Sequence, residues 1–285
     1  MSIQWYPGHI AKATREIKEK INEVDVVIEI IDARCPLSSI DFLNDDIATK
    51  KRLIVVNKVD LVDKDELVKL VEKRLIKNIK SDKAEIIYLD SRDNNISKIV
   101  NKKIDLLCGD IYEKKAGKGI TDYKIRAMVI GAPNVGKSTF INSYTKRKSN
   151  KVENTPGVTK KLQWTKVSDK VLLLDTPGIT VKKFENDEVG NNLALIGSIN
   201  DDILIKQDLV YDFIKRCYKR YSNFFIKRYK LDKVDENSDA LAVMDAIAKK
   251  NGFVKKSGDV DYERTSNLII NDFRKGKLGK IILEL

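Results

Sequence analysis

The stretch "KIRAMVIGAPNVGKSTF" constrains the fold of this chain more than any other. An apolar run, 124–130, reads as a strand, stops at Gly131 and gives way to a helix-like segment. The turn between them, "GAPNVGKS" (131–138), fits the pattern GxxxxGKS in the strand-to-helix setting that the pattern requires. Its glycines let backbone N–H groups curl toward one point at a helix N-terminus, which suits a phosphate group. Lys137 would reach the β and γ phosphates of a nucleotide, and the Ser138 hydroxyl would ligate Mg2+. Asn134, Val135, Gly136, Lys137, Ser138 and Thr139 are therefore the expected phosphate-binding residues. The bland alternative, a chance Gly-rich turn, has to explain the strand, the helix and the full pattern together.

Five other short apolar runs read as strands: 24–31, 53–56, 85–89, 162–168 and 171–174. Helix-like segments lie between several of them. One, "DKDELVKLVEKRLIKNIK", opens acidic and closes basic, as the helix dipole favours. Alternating strands and helices predict an α/β domain with a mainly parallel sheet, and ligands of such sheets bind beyond the carboxyl ends of the strands. After about residue 180 the periodicity turns helical in "NNLALIGSI", "YDFIKRCYKRYSNFFIKRYK", "SDALAVMDAIAKKNGF" and "DYERTSNLIINDFRKGKLGK", with a possible strand in the closing "IILEL". The polar "EKKAGKGITDYK" (113–124) reads as a loop. A length of 285 residues accommodates two cores. The expected organisation is an α/β domain over 1–180, then a smaller all-helical domain over 181–285.

Further motifs fall at the ends of the predicted strands. "DTPG" (175–178) follows 171–174, so Asp175 can hold Mg2+ through water and the Gly178 N–H can meet a γ-phosphate. "TPGVTK" lies between this motif and the phosphate loop, which places Thr159 to complete the Mg2+ shell. "NKVD" (57–60) follows 53–56. Guanine offers N1–H and N2–H2 on one edge, and a carboxylate accepts both. Asp60 would do so, with Asn57 bracing the loop and the Lys58 stem covering the base. "LDSRD" offers Ser91 as a second loop near the base. Together these make a guanine-nucleotide site whose base-reading loops precede the phosphate loop, the order of a circular permutation. The chain then runs from the switch at Gly178 directly into the helical part, so nucleotide-dependent movement there would pull on it.

A formal charge of +12 favours a polyanionic partner without specifying a site. Three widely spaced cysteines, Cys35, Cys108 and Cys217, argue against a disulfide framework or zinc cluster and fit a reducing compartment. No apolar run has the length of a membrane span, and the N-terminus lacks the apolar core of a secretory signal, so a cytoplasmic location is expected. "FIKRCYKRYSNFFIKRYK" (213–230) has no acidic residue. As a helix it places Ile214, Cys217, Tyr218, Tyr221, Phe224, Phe225 and Tyr229 on one stripe. Arg216, Lys219, Arg220, Lys227 and Lys230 fall mostly on the other. The aromatic stripe reads as core, and the basic face offers itself to RNA phosphates or simply to solvent.

"QWYPGHIAKA", "DARCPLSS", "NKVD", "GAPNVGKS", "TPGVT", "DTPG", "NLALIGSI" and "DFRKGKLGKI" cover nearly the whole chain. In these it resembles the circularly permuted P-loop GTPases of ribosome assembly, of the bacterial RbgA (YlqF) type. "LDSRDNN" matches that family's last base-contacting motif only at Ser91. The resemblance implies GTP hydrolysis with GTP/GDP and Mg2+ as ligands. It also implies a partner, the large ribosomal subunit precursor with its rRNA. No membrane or DNA partner is expected, and away from the ribosome the chain is expected to be a monomer.

Small GTPases place a water-orienting glutamine where this chain has Ile179, which cannot hydrogen-bond a water. The resemblance implies His9, the single histidine, as the catalytic group instead, and an imidazole can handle a proton at neutral pH. The competing role for His9 is packing beside Trp5 and Tyr6. Asn134 matches a position tied in related GTPases to K+-stimulated hydrolysis, a plain turn residue being the other reading. Two functional alternatives stay open at this point. One is a GTP-gated binding protein that scarcely hydrolyses. The other is an ATP-using P-loop enzyme in which "NKVD" is coincidental.

Overall fold

The computed structural model of the chain describes residues 19–40, 50–76, 83–145, 164–175, 186–232, 235 and 237–285, and of Asp175 the backbone alone. The six expected apolar runs all form strands: β1 (Val26–Asp32), β2 (Lys51–Asn57), β3 (Ala84–Leu89), β4 (Ile125–Ile130), β5 (Trp164–Lys166) and β6 (Val171–Asp175). They make one sheet in the order β3-β2-β1-β4-β6-β5. All neighbours run parallel except β5, which pairs antiparallel with β6. β1 is buried along its whole length, as expected of a parallel strand covered on both faces. Its alternate residues serve two apolar clusters, Val26, Ile28 and Ile30 on one face and Ile31 on the other, the period of a strand.

Helices between the strands follow local chemistry. α1 (Pro36–Ser39) is a single turn with proline at its start, where no N–H is needed. α2 (Lys64–Arg74) is capped by Asp63, whose carboxylate accepts from the Asp65 and Glu66 N–H groups. α3 (Ile96–Leu107) and α4 (Gly109–Ala116) precede β4, and α5 (Lys137–Thr145) follows the glycine-rich turn. α4 corrects the loop expected over 113–124, because Glu113–Ala116 are helical and irregular backbone starts only at Gly117. The Cys108 carbonyl accepts from the N–H of Ile111 and Tyr112, whose side chains pack on the core. The polarity of "EKKA" is that of the exposed face of this short helix.

Beyond β6 the described residues form α6 (Asp187–Leu195), α7 (Lys206–Tyr229), α8 (Ala240–Lys250) and α9 (Tyr262–Arg274). α7 is kinked at Tyr221, whose φ of −119° is not helical. Ile214, Cys217, Tyr218, Tyr221, Phe225 and Tyr229 are buried and Phe224 is partly so, which makes the aromatic stripe core. The possible strand in "IILEL" is not one. The Leu283 N–H donates to the Arg34 carbonyl, Ile282 exchanges backbone bonds with the Tyr221 hydroxyl, and Glu284 caps α1. The tail pairs with no described strand of the sheet and buries the side chains of Ile281, Ile282 and Leu283. The expected division near residue 180 falls outside the described residues. One apolar cluster reaches from β1 and β4 through Leu193–Ile196 into α7, and α6 packs against α1.

Candidate functional site

Parallel pairing brings the carboxyl ends of β1, β2, β3, β4 and β6 to one edge of the sheet. Asp32 lies opposite Asn57, Asn57 opposite Leu89, and Val129 opposite Asp175. The loops that carry 58–61, 90–93 and 131–136 therefore emerge side by side, although they are far apart in the chain.

Asn57 ties three of these loops together. Its Nδ2 donates to the Val135 carbonyl at 2.7 Å, and its Oδ1 accepts the Ser91 N–H at 2.9 Å. Lys58 stands in the left-handed region at φ 62°, and its Nζ donates to the Asn134 carbonyl at 2.6 Å. Gly136 sits under this clamp. A Cβ there would lie 2.3 Å from the Asn57 Nδ2, and its φ of +102° disfavours any side chain. Lys137, Ser138 and Thr139 form the first turn of α5, with the Lys137 Nζ donating to the carbonyls of Gly131 and Ala132 at 2.9 and 2.8 Å. The Ser91 hydroxyl is buried with no hydrogen-bond partner among the described residues. Asp60 accepts from Arg92 at 2.7 Å.

The structure thus brings together Asn57, Lys58, Asp60, Ser91 and the phosphate-loop residues 134–139. Asp175 ends β6 in register with Val129, within the same edge. His9, Thr159, Gly178 and the neighbouring Ile179 lie outside the described residues. Among the described residues no cluster of His, Cys, Asp and Glu could hold a metal ion by itself. A Ser hydroxyl at a helix start and a carboxylate at an adjoining strand end are the oxygen donors that a nucleotide-bound Mg2+ uses, so the residues present fit that ion. All three cysteines are buried, and burial raises each thiol, Cys108 and Cys217 to about 12. They therefore stay protonated and pack as small apolar groups.

A second layer joins residues to which no motif gave a role. At the end of β1, Asp32 is fully buried and receives the Arg34 guanidinium through Nε at 2.9 Å and Nη2 at 2.8 Å, with the Lys58 Nζ at 2.9 Å. Burial alone would raise this carboxyl, but Arg34 and then Lys58 hold it well below the usual carboxylate range. Arg34 also donates to the carbonyls of Phe273 and Arg274, at 3.4 Å each. Arg274 in turn donates to the Leu195 and Ala194 carbonyls and pairs with Asp201. The loop after α6 then returns to the phosphate loop, with Asn134 Nδ2 donating to the Gly197 carbonyl and the Ser198 hydroxyl to that of Pro133, both at 2.5 Å. The polar links form a closed circuit through Asn134, Lys58, Asp32, Arg34, Arg274 and the Gly197 loop. In sequence, "DARCPLSS", "NLALIGSI" and "DFRKGKLGKI" held Asp32, Arg34, Gly197 and Arg274, but only as stretches carrying the resemblance, with no chemistry attached to them.

A glycine-rich strand–loop–helix turn is thus knitted to two loops that precede it in the chain. The family model described as 50S ribosome-binding GTPase matches residues 126–247. Ribosome biogenesis GTPase A of Bacillus cereus is 41% identical over 285 residues, spanning 100% of this chain and 94% of that protein. The chain belongs to the ribosome biogenesis GTPase A family. The Thermotoga maritima member is 30% identical over 99% of this chain and 94% of its own length. A solved GDP-bound YlqF superposes with a TM-score of 0.66 at 26% identity, covering 95% of this chain and 98% of that one. As a ribosome biogenesis GTPase A family member, the chain binds guanine nucleotide and hydrolyses GTP. The ATP-using alternative is thereby set aside.

Proposed function

We propose that this GTPase is a cytoplasmic assembly factor for the large ribosomal subunit. Its GTP state would set whether it binds or releases the precursor particle and its rRNA, and it would be a monomer away from the ribosome. The observation that carries this reading is the pair of direct bonds between the turn at 133–134 and the loop that follows α6. Asn134 and Pro133 are tied to Gly197 and Ser198, so a nucleotide-driven shift at 133–134 reaches the helical residues beyond 181 without passing through Gly178. The similarity to ribosome biogenesis GTPase A and to the 50S ribosome-binding GTPase family supports the ribosomal partner.

In this reading Asn57, Lys58, Asp60 and Ser91 take the guanine, and Asn134 to Thr139 with Gly178 take the phosphates. Ser138, Thr159 and Asp175 would hold Mg2+, which neutralises charge between the β and γ phosphates when bound. His9 handles the proton of the attacking water, because Ile179 cannot orient it. A K+ ion at Asn134 would use Oδ1, which the bond to Gly197 does not engage. Ile179 also favours one second reading, a GTP-gated binder with negligible turnover. GTP hydrolysis measured with and without purified large subunits, wild type beside His9→Ala, separates the two. The expected result is stimulation of the wild type, with His9→Ala retaining GTP affinity and losing most of the stimulated turnover. Subunit binding without stimulation of either protein would establish the binder, and equal stimulation of both would remove His9 from the mechanism.

The basic face of α7 needs revision as a docking surface. Arg220 pairs with Glu66 on α2, Arg216 reaches Glu188 and Asn192 on α6, and Arg228 pairs with Asp272 on α9, so these arginines fasten α7 to its surroundings. Lys215, Lys219, Lys227 and Lys230 are exposed, with no ion pair to another described residue. They are the better candidates for rRNA phosphates. The double change Lys219→Glu with Lys227→Glu should weaken subunit binding and reduce its salt slope by about two, while GTP affinity stays unchanged. An unchanged salt slope would assign docking to another surface.

A further inference from the structure

We propose that Arg92 is a positioning residue that holds the Asp60 carboxylate in the orientation that distinguishes guanine from bases lacking its 2-amino group. The inference rests on the reading of Asp60 as the acceptor for the guanine N1–H and N2–H2. Arg92 follows Ser91 in the loop after β3, a stretch whose sequence offered no role for an arginine. Its backbone N–H donates to Asp90 Oδ1 at 2.9 Å. Its Nε reaches both oxygens of Asp90 at 2.8 and 3.0 Å, and its Nη2 reaches Asp90 Oδ2 at 2.6 Å. The planar guanidinium is therefore fixed by a residue two positions earlier, in the bidentate geometry that suits a carboxylate. From that hold the same Nη2 donates to Asp60 Oδ2 at 2.7 Å, across to the loop that follows β2.

Asp60 lies on the short 3-10 turn Val59–Leu61, and its side chain is 35% exposed. Without a partner such a carboxylate would exchange among rotamers. The bond from Arg92 engages one acceptor position of one oxygen. An ionised carboxylate has about four such positions, so Oδ1 and part of Oδ2 remain for two donors on a base edge. The loop that carries Arg92 is itself anchored, since the Ser91 N–H donates to Asn57 Oδ1. A guanidinium could instead act as a plug, because its N–H donors resemble those of guanine. Arg92 spends Nε and a share of Nη2 on Asp90 while it donates to Asp60 through Nη2 alone, and that geometry is a brace.

The test is titration of the full chain with GDP and with inosine diphosphate, which lacks the 2-amino group, for wild type, Arg92→Gln and Arg92→Lys. Arg92→Gln should weaken GDP binding about fivefold, the scale of an exposed charge pair, and inosine diphosphate binding less. The GDP preference then falls, and Arg92→Lys, which keeps the charge without the fork, restores only part of it. An unchanged preference ratio overturns the proposal, and so does tighter GDP binding in Arg92→Gln, which would make Arg92 a plug. Asp60→Asn, titrated with GDP and xanthosine diphosphate, tests the underlying reading separately. The amide should shift preference toward xanthine, whose 2-oxo group accepts a hydrogen bond. If GDP is still preferred, the assignment of Asp60 to the base fails, whatever Arg92 does.

Discussion

Replacing Arg34 by methionine is expected to lower the unfolding free energy by about 3–5 kcal/mol at neutral pH, the cost of removing one partner from a buried ion pair. Asp32 is completely buried, and after the substitution Lys58 would be its one remaining cation among the described residues, beside the backbone N–H of residue 34. Methionine keeps apolar bulk near Phe273, whose ring the guanidinium covers at 5.0 Å, so most of the loss should be electrostatic. The pH dependence has a definite sign. In the wild type the Asp32 carboxyl lies below its unfolded value, so its stabilisation is complete above about pH 4 and is lost as pH falls. In Arg34→Met the same carboxyl is buried with less compensation and its proton affinity rises. The deficit should therefore shrink on acidification toward pH 5. Urea denaturation of both proteins at pH 7 and pH 5 measures this. A loss under about 1 kcal/mol at pH 7, or a deficit that grows on acidification, would show that Asp32 does not depend on Arg34.

Gly136→Ala is the second large effect, and it should appear in nucleotide binding. The new methyl would lie 2.3 Å from the Asn57 Nδ2, and Asn57 cannot retreat without breaking its bonds to Val135 and Ser91. Backbone strain at this φ costs about 1–3 kcal/mol, and a buried amide that loses its partner about 1–3 kcal/mol more. If the loop escapes by leaving its cradle shape, GDP affinity should fall by roughly a hundredfold or more. Calorimetric titration with GDP, beside thermal melting of the nucleotide-free protein, reads both quantities. Wild-type affinity with an unaltered melting temperature would mean that the clamp from Asn57 does not shape the loop.

The tail offers a smaller case of the same logic. Glu284 is buried, and its carboxylate accepts from the N–H groups of Leu37 and Ser38 and from the Ser38 hydroxyl. These are the orphan donors at the start of α1. Burial raises its carboxyl above the usual range despite those donors. The cap therefore weighs against folding as pH rises through the carboxylate range.

What the sequence by itself determined was everything that short-range chemistry carries. The runs specified six strands to within a few residues, most clearly at the central β1 and β4, because a parallel strand covered on both faces is apolar almost throughout. The glycine-rich turn between β4 and α5 was legible because its glycines, lysine and serine act within one turn. The aromatic stripe of α7 was legible because burial follows the helical period. Even the permuted order could be read, since a site at the strand ends needs only its loops and not their succession. Tertiary structure decided the rest. The bond from Asn134 to Gly197 joins residues 63 positions apart, and that from Arg34 to Arg274 spans 240. No local pattern marks such partners. An arginine on a polar helix face has the same signature in sequence whether it meets rRNA or, as Arg220 does, a glutamate on α2. "IILEL" likewise has the composition of a strand, but its place is set by bonds to Arg34, Tyr221 and the start of α1, all distant in the chain. Hydrophobic periodicity reports which face of an element is buried; what buries it, and which polar groups are tied across the interface, depends on how the whole chain closes.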